Sequence, residues 1–119
     1  MTLPTDVKLY LETLGPYDTV EYKIDVSPIL ESGEGVATYS LVLPTESTLL
    51  GLQLNTTGGY STTLVNNIIT YWLSISSGHQ ADSIFMGAGV TMPIEVTVTT
   101  NSIPPRIKKR TVAVTVATR

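Results

Sequence analysis

Apolar and polar side chains alternate with a period of two along most of the chain. Alternation is clear at residues 20–26, 37–43, 50–54, 69–75, 94–98 and 112–116, and weaker at 7–11. Because successive side chains of an extended strand point to opposite faces, strict alternation predicts strands with one buried face. Turn residues separate these stretches at spacings of roughly 8 to 12 residues, which is typical of an antiparallel sandwich or barrel.

Helix is predicted almost nowhere in the chain. Residues 28–30 are compatible with one short helical turn, and residues 46–50 with another. At the second place the alternation of Leu50, Leu52 and Leu54 favours a strand instead. The segment 78–89 is the least regular part, and it is either a short strand or an exposed loop with an apolar tip at Phe85 and Met86.

The composition agrees with an all-β domain. Thr, Val and Ile total 40 of 119 residues, and β-branched side chains pack well on sheets but lose rotamer freedom in helices. The charged fraction is 14 %, with 42 % hydrophobic residues, which excludes a disordered chain. We therefore predict one β-sandwich domain over residues 1–119, in which residues 1–16 form an arm or an edge strand.

Charge is distributed unevenly along the chain. Residues 1–105 contain ten acidic and two basic residues, a net charge of −8, whereas residues 106–119 contain five basic and no acidic residues. An acidic body is a poor surface for nucleic acid, so no nucleic-acid partner is expected. A basic terminal strand at 106–119 suits charge-complementary contacts between subunits or with another protein. A strand with a few solvated lysines explains the same residues and stays open as an alternative.

The absence of cysteine excludes disulfides, thiolate zinc sites and a cysteine nucleophile. Such a chain fits synthesis in a reducing cytoplasm. The first six residues lack a basic start and an apolar core of signal-peptide length. No apolar stretch approaches the length of a membrane span, so no membrane partner is expected.

Residues with catalytic or ligand-binding chemistry do not form a recognisable motif. A triad could be drawn from His79, Asp82 and a nearby serine, but no Gly-x-Ser-x-Gly sequence accompanies it, and a solvated loop histidine is the expected role. Glu31 and Glu34 flank a glycine turn without forming a calcium loop. Gly87–Gly89 lacks the Lys and Ser/Thr of a phosphate loop. We predict no catalytic residue, no metal and no cofactor, and hence no enzyme.

Trp72 has the opposite phase to its apolar neighbours Ile69, Tyr71 and Leu73. The strand therefore carries large apolar side chains on both faces, as a central strand or one covered by a subunit would. A core or interface role is the simpler explanation for Trp72. The alternative is a sugar platform, which would make the chain a carbohydrate-binding module.

The order of several segments resembles a known family. The stretch from Tyr17 to Leu30, YDTVEYKIDVSPIL, and the glycine turn after it resemble the opening of small tailed-phage virion proteins of the fibre–tail adaptor type. Further along, NIITYWLS at 67–74, IEVTVTTNS at 94–102 and the strand 106–116 are similar to later strands of that family. The turn at Asn101–Arg106 departs from the family's Ser-Asp-Gly-Arg pattern, which puts any contact through that turn in doubt.

The resemblance implies an immunoglobulin-like antiparallel sandwich of about seven strands that builds a bacteriophage virion. The expected role is a structural protein of the tail or a tail-fibre adaptor, made in the host cytoplasm and assembled into the virion. Its partners would be other virion proteins (tail, fibre, connector or capsid subunits) and further copies of itself in a homo-oligomer. A capsid-decorating or head–neck protein is the alternative. The expected protein-interface residues are Tyr71, Trp72, Phe85, Met86, Arg106, Lys108, Lys109 and Arg110.

Overall fold

The computed structural model describes residues 8–118 and forms two facing β-sheets. The strands are β1 (Lys8–Leu9), β2 (Thr19–Asp25), β3 (Val36–Val42), β4 (Leu52–Asn55), β5 (Thr63–Val65), β6 (Ile68–Ile75), β7 (Val90–Thr100) and β8 (Ile107–Val116). One short helix, α1 (Thr45–Thr48), precedes β4, and single 3₁₀ turns occupy Ser27–Ile29 and Ser83–Phe85. The predicted all-β sandwich is confirmed, and so is the short helical turn near Pro28.

The first sheet has the strand order β1-β8-β7-β3, and the second has the order β2-β6-β4 with β5 also paired to β6. Neighbouring strands are antiparallel except β1, which runs parallel to β8. Leu14 continues the parallel contact by bridging to Val116 and is completely buried. The part of the predicted arm or edge strand that lies within the described residues therefore borders the first sheet, while residues 1–7 lie outside them.

The core lies between the sheets and consists of the apolar phase of each strand. β6 contributes Ile69 and Leu73, β7 contributes Ile94 and Val96, and all four side chains have no exposed surface. The threonines at positions 97 and 99 of β7 and 111 and 115 of β8 take the opposite phase and are half-buried on the outer face. Burial of one apolar side chain in such a core stabilises the fold by roughly 1.5–3 kcal/mol.

The strand predicted at residues 50–54 is only partly correct. The chain first forms α1, and the strand begins at Leu52. Gly51 separates the two with a φ of +101°, and a Cβ at this position would lie 2.6 Å from the Cβ of His79. A residue in the left-handed region interrupts the extended backbone of a strand, and the nearby His79 side chain leaves no room for a side chain at position 51. The buried Ser47 hydroxyl donates a hydrogen bond to the Pro93 carbonyl at 2.7 Å, which holds α1 against β7.

The hairpin of β5 and β6 was not predicted. Its turn consists of Asn66 and Asn67, which have φ values of +52° and +63°. Two successive left-handed residues give the turn whose twist matches a two-stranded hairpin, and asparagine tolerates this conformation better than most residues do. The asparagine pair between Val65 and Ile68 is therefore the sequence feature that points to the hairpin.

The irregular segment 78–89 forms neither a strand nor a loop with both apolar residues exposed. Its 3₁₀ turn places Phe85 in the core with no exposed surface, while Met86 is 69 % exposed. The Phe85 carbonyl accepts a hydrogen bond from the Thr118 amide at 2.6 Å. The segment is thus a plug that closes one end of the sandwich.

Candidate functional site

The structure removes two residues from the predicted interface. Tyr71 and Phe85 have no exposed surface and belong to the core, so neither can contact a partner from its present position. The Tyr71 hydroxyl shares a 2.5 Å hydrogen bond with the Tyr10 hydroxyl. Burial raises the pKa of Tyr10 to about 12 and raises that of Tyr71 as well. Tyr71 therefore ties the segment after β1 to the core.

Trp72 lies on the outer face of the second sheet, as its phase predicts. In the strand register it stands between Glu21 of β2 and Asn55 of β4. The ring of Tyr60 packs against it with centroids 5.2 Å apart and planes tilted by 59°. Tyr60 comes from the loop that joins β4 to β5, and no motif in the sequence pointed to this aromatic pair.

A polar group continues the same face beside Trp72. Gln53 Nε2 donates a hydrogen bond to Ser74 Oγ at 2.9 Å, and Ser74 Oγ donates one to Asn55 Oδ1 at 2.6 Å. We call Glu21, Gln53, Asn55, Tyr60, Trp72 and Ser74 the Trp72 face. The outward phase of β4 and β6 brings these residues together, which sequence alone does not reveal because it does not give the strand pairing.

Arg106 is held by carboxylates of its own chain. Its Nε and Nη2 donate hydrogen bonds to Glu34 Oε2 and Oε1 at 3.0 and 2.6 Å, and Nη1 donates one to Glu31 Oε1 at 2.9 Å. The Arg106 hydrogen bonds, together with one from the Glu31 amide, lower the pKa of Glu34 to about 2. Arg106 thus joins the loop before β3 to the start of β8.

The other basic residues of β8 differ in their surroundings. Lys109 forms an ion pair with Glu95 of β7 at 3.3 Å on the outer face of the first sheet. Lys108 and Arg110 have the phase of the core valine Val112 and stand opposite Val98 and Val96 in register. Arg110 is exposed, and Lys108 is half-buried. Lys108 and Arg110 are therefore the basic side chains of β8 for which the described residues provide no carboxylate partner.

A pocket opens beside Arg110 at the rim of the sandwich. It has a volume of about 210 Å³ and is bordered by residues of β2, the 3₁₀ turn after it and β8. Its lining residues are Ile24, Asp25, Pro28, Ile29, Arg110, Thr111 and Val112.

Strand β3 forms the outer edge of the first sheet. It pairs with β7 on one side, and none of residues 8–118 pairs with its other side. Its seven residues, VATYSLV, include no charge and no proline. Thr38, Ser40 and Val42 are exposed along it. We call this element the β3 edge.

Of the residues considered as catalytic or metal-binding groups, Glu31 and Glu34 both accept hydrogen bonds from Arg106, and His79 lies beside Asp82. His79 Nδ1 lies 2.8 Å from Asp82 Oδ2 within one turn. Within residues 8–118, no three His, Asp or Glu side chains are grouped as metal ligands would be. The helices in the same range are all too short and too polar to cross a bilayer.

No protein-family model matches the chain, and no curated protein matches it significantly.

Proposed function

We propose that this protein is a structural virion protein of a tailed bacteriophage, of the tail or tail-fibre adaptor type. It acts through protein–protein interfaces and assembles as a homo-oligomer. The resemblance in segment order supports the virion role. The single structural observation that supports action by contact is the β3 edge.

An open strand edge presents a row of backbone N–H and C=O groups that can pair with another chain. Monomeric β-proteins usually block such edges with charged side chains, proline, strong bulges or a covering element. The β3 edge has one register shift, between Val36 and Thr38, but none of its seven residues is charged. An uncharged edge of this length is a liability in a free monomer, and it is useful if a neighbouring subunit covers it.

The charge distribution favours a second copy of the chain as that neighbour. Within the described residues, β1 pairs with Val112 and Ala113, and the preceding half of β8, 107–111, carries Lys108 and Arg110, for which that range provides no carboxylate partner. The β3 edge is followed by the exposed acidic residue Glu46. Joining the β3 edge of one copy to this half of β8 in the next continues the first sheet and brings opposite charges together. Such a head-to-tail contact generates a ring when its rotation closes.

The proposed contact predicts a dependence on the β8 cations. We expect the full chain to form a multimer whose mass, measured by native mass spectrometry, falls on raising the salt concentration. The double variant Lys108→Glu/Arg110→Glu should dissociate at lower salt than the natural chain, because the reversed charges repel the acidic neighbour. Lys23→Glu is the matched control, since Lys23 is exposed on the second sheet. Equal salt sensitivity of the reversed and natural chains would contradict the contact.

The virion role is tested separately. Mass spectrometry of purified phage particles should detect the chain at a stoichiometry that matches the multimer. A three- or six-fold multimer favours the fibre adaptor over a capsid-decorating or head–neck position. Absence of the chain from the particles would overturn the virion role and leave the contact itself intact.

A further inference from the structure

The outer face of the second sheet carries an aromatic pair that contributes nothing to the core. The other outward residues of β2 and β6 near Trp72 are polar, as for Thr19, Lys23 and Thr70. Trp72 is half-buried, and Tyr60, which packs on it, keeps 37 % of its surface exposed. An indole and a phenol at the surface of a polar sheet face, with their planes tilted by 59°, offer two adjoining aromatic surfaces for an apolar surface with a polar rim.

The loop that carries Tyr60 has a defined backbone. Gly58 and Gly59 both have positive φ values, +66° and +93°, and nothing lies within 4 Å of the position a Cβ would take at either residue. A side chain would therefore fit at both positions. Glycine is favoured there because the backbone is left-handed. The two glycines turn the chain so that the next residue returns over Trp72.

The polar groups beside the aromatic pair have unused hydrogen-bonding capacity. The Ser74 hydroxyl is hydrogen-bonded to Asn55 Oδ1 and Gln53 Nε2. Gln53 Oε1 and Asn55 Nδ2 form no side-chain hydrogen bond with another of the described residues. The outward register places Asn55 and the exposed Glu21 on opposite sides of Trp72. The face thus offers amide donors and amide and carboxylate acceptors around one aromatic ring.

We infer that the Trp72 face is a saccharide-binding site. A pyranose ring has a C–H face with partial positive charge, which complements the electron-rich face of an indole or phenol. Its rim carries hydroxyl groups that both donate and accept hydrogen bonds, matching Asn55 Nδ2, Gln53 Oε1 and the Glu21 carboxylate. A purely apolar partner would leave these groups without hydrogen bonds, at a cost in binding. The chemistry of the face therefore favours a sugar.

The chain contains one tryptophan, so its fluorescence reports on this face alone. The full-length protein would first be applied to a printed array of plant, animal and bacterial oligosaccharides. The strongest array ligand would then be titrated while tryptophan emission is recorded. We expect saturable binding with a change in Trp72 emission. An array without a ligand, or a ligand that leaves the emission unchanged, would overturn the site.

Two variants locate the contact. Tyr60→Ala removes one of the two aromatic surfaces and Asn55→Ala removes the amide donor, and each should weaken binding about tenfold, equivalent to about 1.4 kcal/mol. Tyr17→Ala is the matched control, because Tyr17 is a tyrosine that is 70 % exposed and lies outside the Trp72 face. Circular dichroism of each variant verifies the fold. Equal affinity of Tyr60→Ala and Tyr17→Ala would contradict the assignment.

The site is independent of the proposed assembly. The β3 edge and the Lys108–Arg110 pair belong to the first sheet, and the Trp72 face belongs to the second. A chain that assembles without binding a sugar overturns this inference alone. A chain that binds a sugar as a monomer overturns the proposed assembly alone.

Discussion

Arg106 encloses the Glu34 carboxylate with two parallel hydrogen bonds, from Nε to Oε2 at 3.0 Å and from Nη2 to Oε1 at 2.6 Å. The Glu34 side chain keeps only 8 % of its surface exposed. This fork joins two loops that are 72 residues apart in the sequence. The first residue of the basic segment therefore holds the loop before β3 against the start of β8.

Removing the fork should destabilise the protein. Arg106→Ala removes three charge-assisted hydrogen bonds, two to Glu34 and one to Glu31, so we expect thermal unfolding several degrees below that of the natural chain. Arg106→Lys keeps the charge but cannot form two parallel bonds, and it should fall between the two. Differential scanning calorimetry measures the three midpoints. Equal midpoints for Arg106→Ala and the natural chain would show that the fork does not contribute to stability.

The lowered pKa of Glu34 predicts that the free energy of unfolding decreases at acidic pH. Its pKa is about 2 in the folded chain against an ordinary value of 4.5, so the folded state binds its proton more weakly than the unfolded state does. The contribution is complete above pH 4.5 and is lost as the pH falls from there toward about 2. Urea unfolding at pH 6, 4 and 2.5 should show this loss in the natural chain. In Glu34→Gln the same pH change should have a smaller effect, and an unchanged pH dependence would contradict the role of Glu34.

The Tyr10–Tyr71 hydrogen bond predicts an asymmetric pair of variants. Tyr10→Phe leaves the fully buried Tyr71 hydroxyl without its partner and should cost about 1–3 kcal/mol of unfolding free energy. Tyr71→Phe leaves the Tyr10 hydroxyl without its partner, and because Tyr10 is less buried than Tyr71 the loss should be smaller, about 0.5–1.5 kcal/mol. Chemical denaturation of both single variants and the double variant measures the coupling. Additive losses would mean that the two hydroxyls do not interact.

Phe85 and Met86 are neighbours with opposite roles. Phe85→Ala empties a completely buried ring position and should cost about 3–5 kcal/mol of unfolding free energy. Met86→Ala removes an exposed side chain and should change stability by less than about 0.5 kcal/mol. Urea denaturation of the two variants makes the comparison. Similar losses would contradict the placement of Phe85 as the plug of the sandwich.

The alternation of side chains was enough to predict most of the strands. It placed Ile94, Val96 and Val98 in the core and Trp72 on the opposite face of β6, because strand phase is a local property of the sequence. The start of β4 was predicted two residues too early and β5 was not predicted, since Gly51 and the Asn66–Asn67 turn act through backbone conformation rather than hydropathy. The immunoglobulin-like shape remains a prediction.

The candidate sites depend on contacts that the sequence does not state. The outward position of Trp72 was predictable, but its neighbours Tyr60, Gln53 and Asn55 become visible only once β4 is paired with β6. Likewise the basic cluster at 106–110 was evident, whereas the carboxylates that pair with Arg106 and Lys109 come from distant segments. The local sequence pattern therefore predicts the strands, whereas the strand register determines which charged side chains meet an oppositely charged partner.

The most direct test of the assembly is the mass of the chain after its edge is charged. Thr38→Lys/Ser40→Lys places two cations on the β3 edge, where an incoming strand would have to desolvate them. Thr99→Lys is the matched control, because Thr99 stands opposite Thr38 in register on the inner strand β7. Native mass spectrometry should show a multimer for the natural chain and for the control, and a monomer for the edge variant. A natural chain that is monomeric, or an edge variant that keeps the same multimer, would contradict the account.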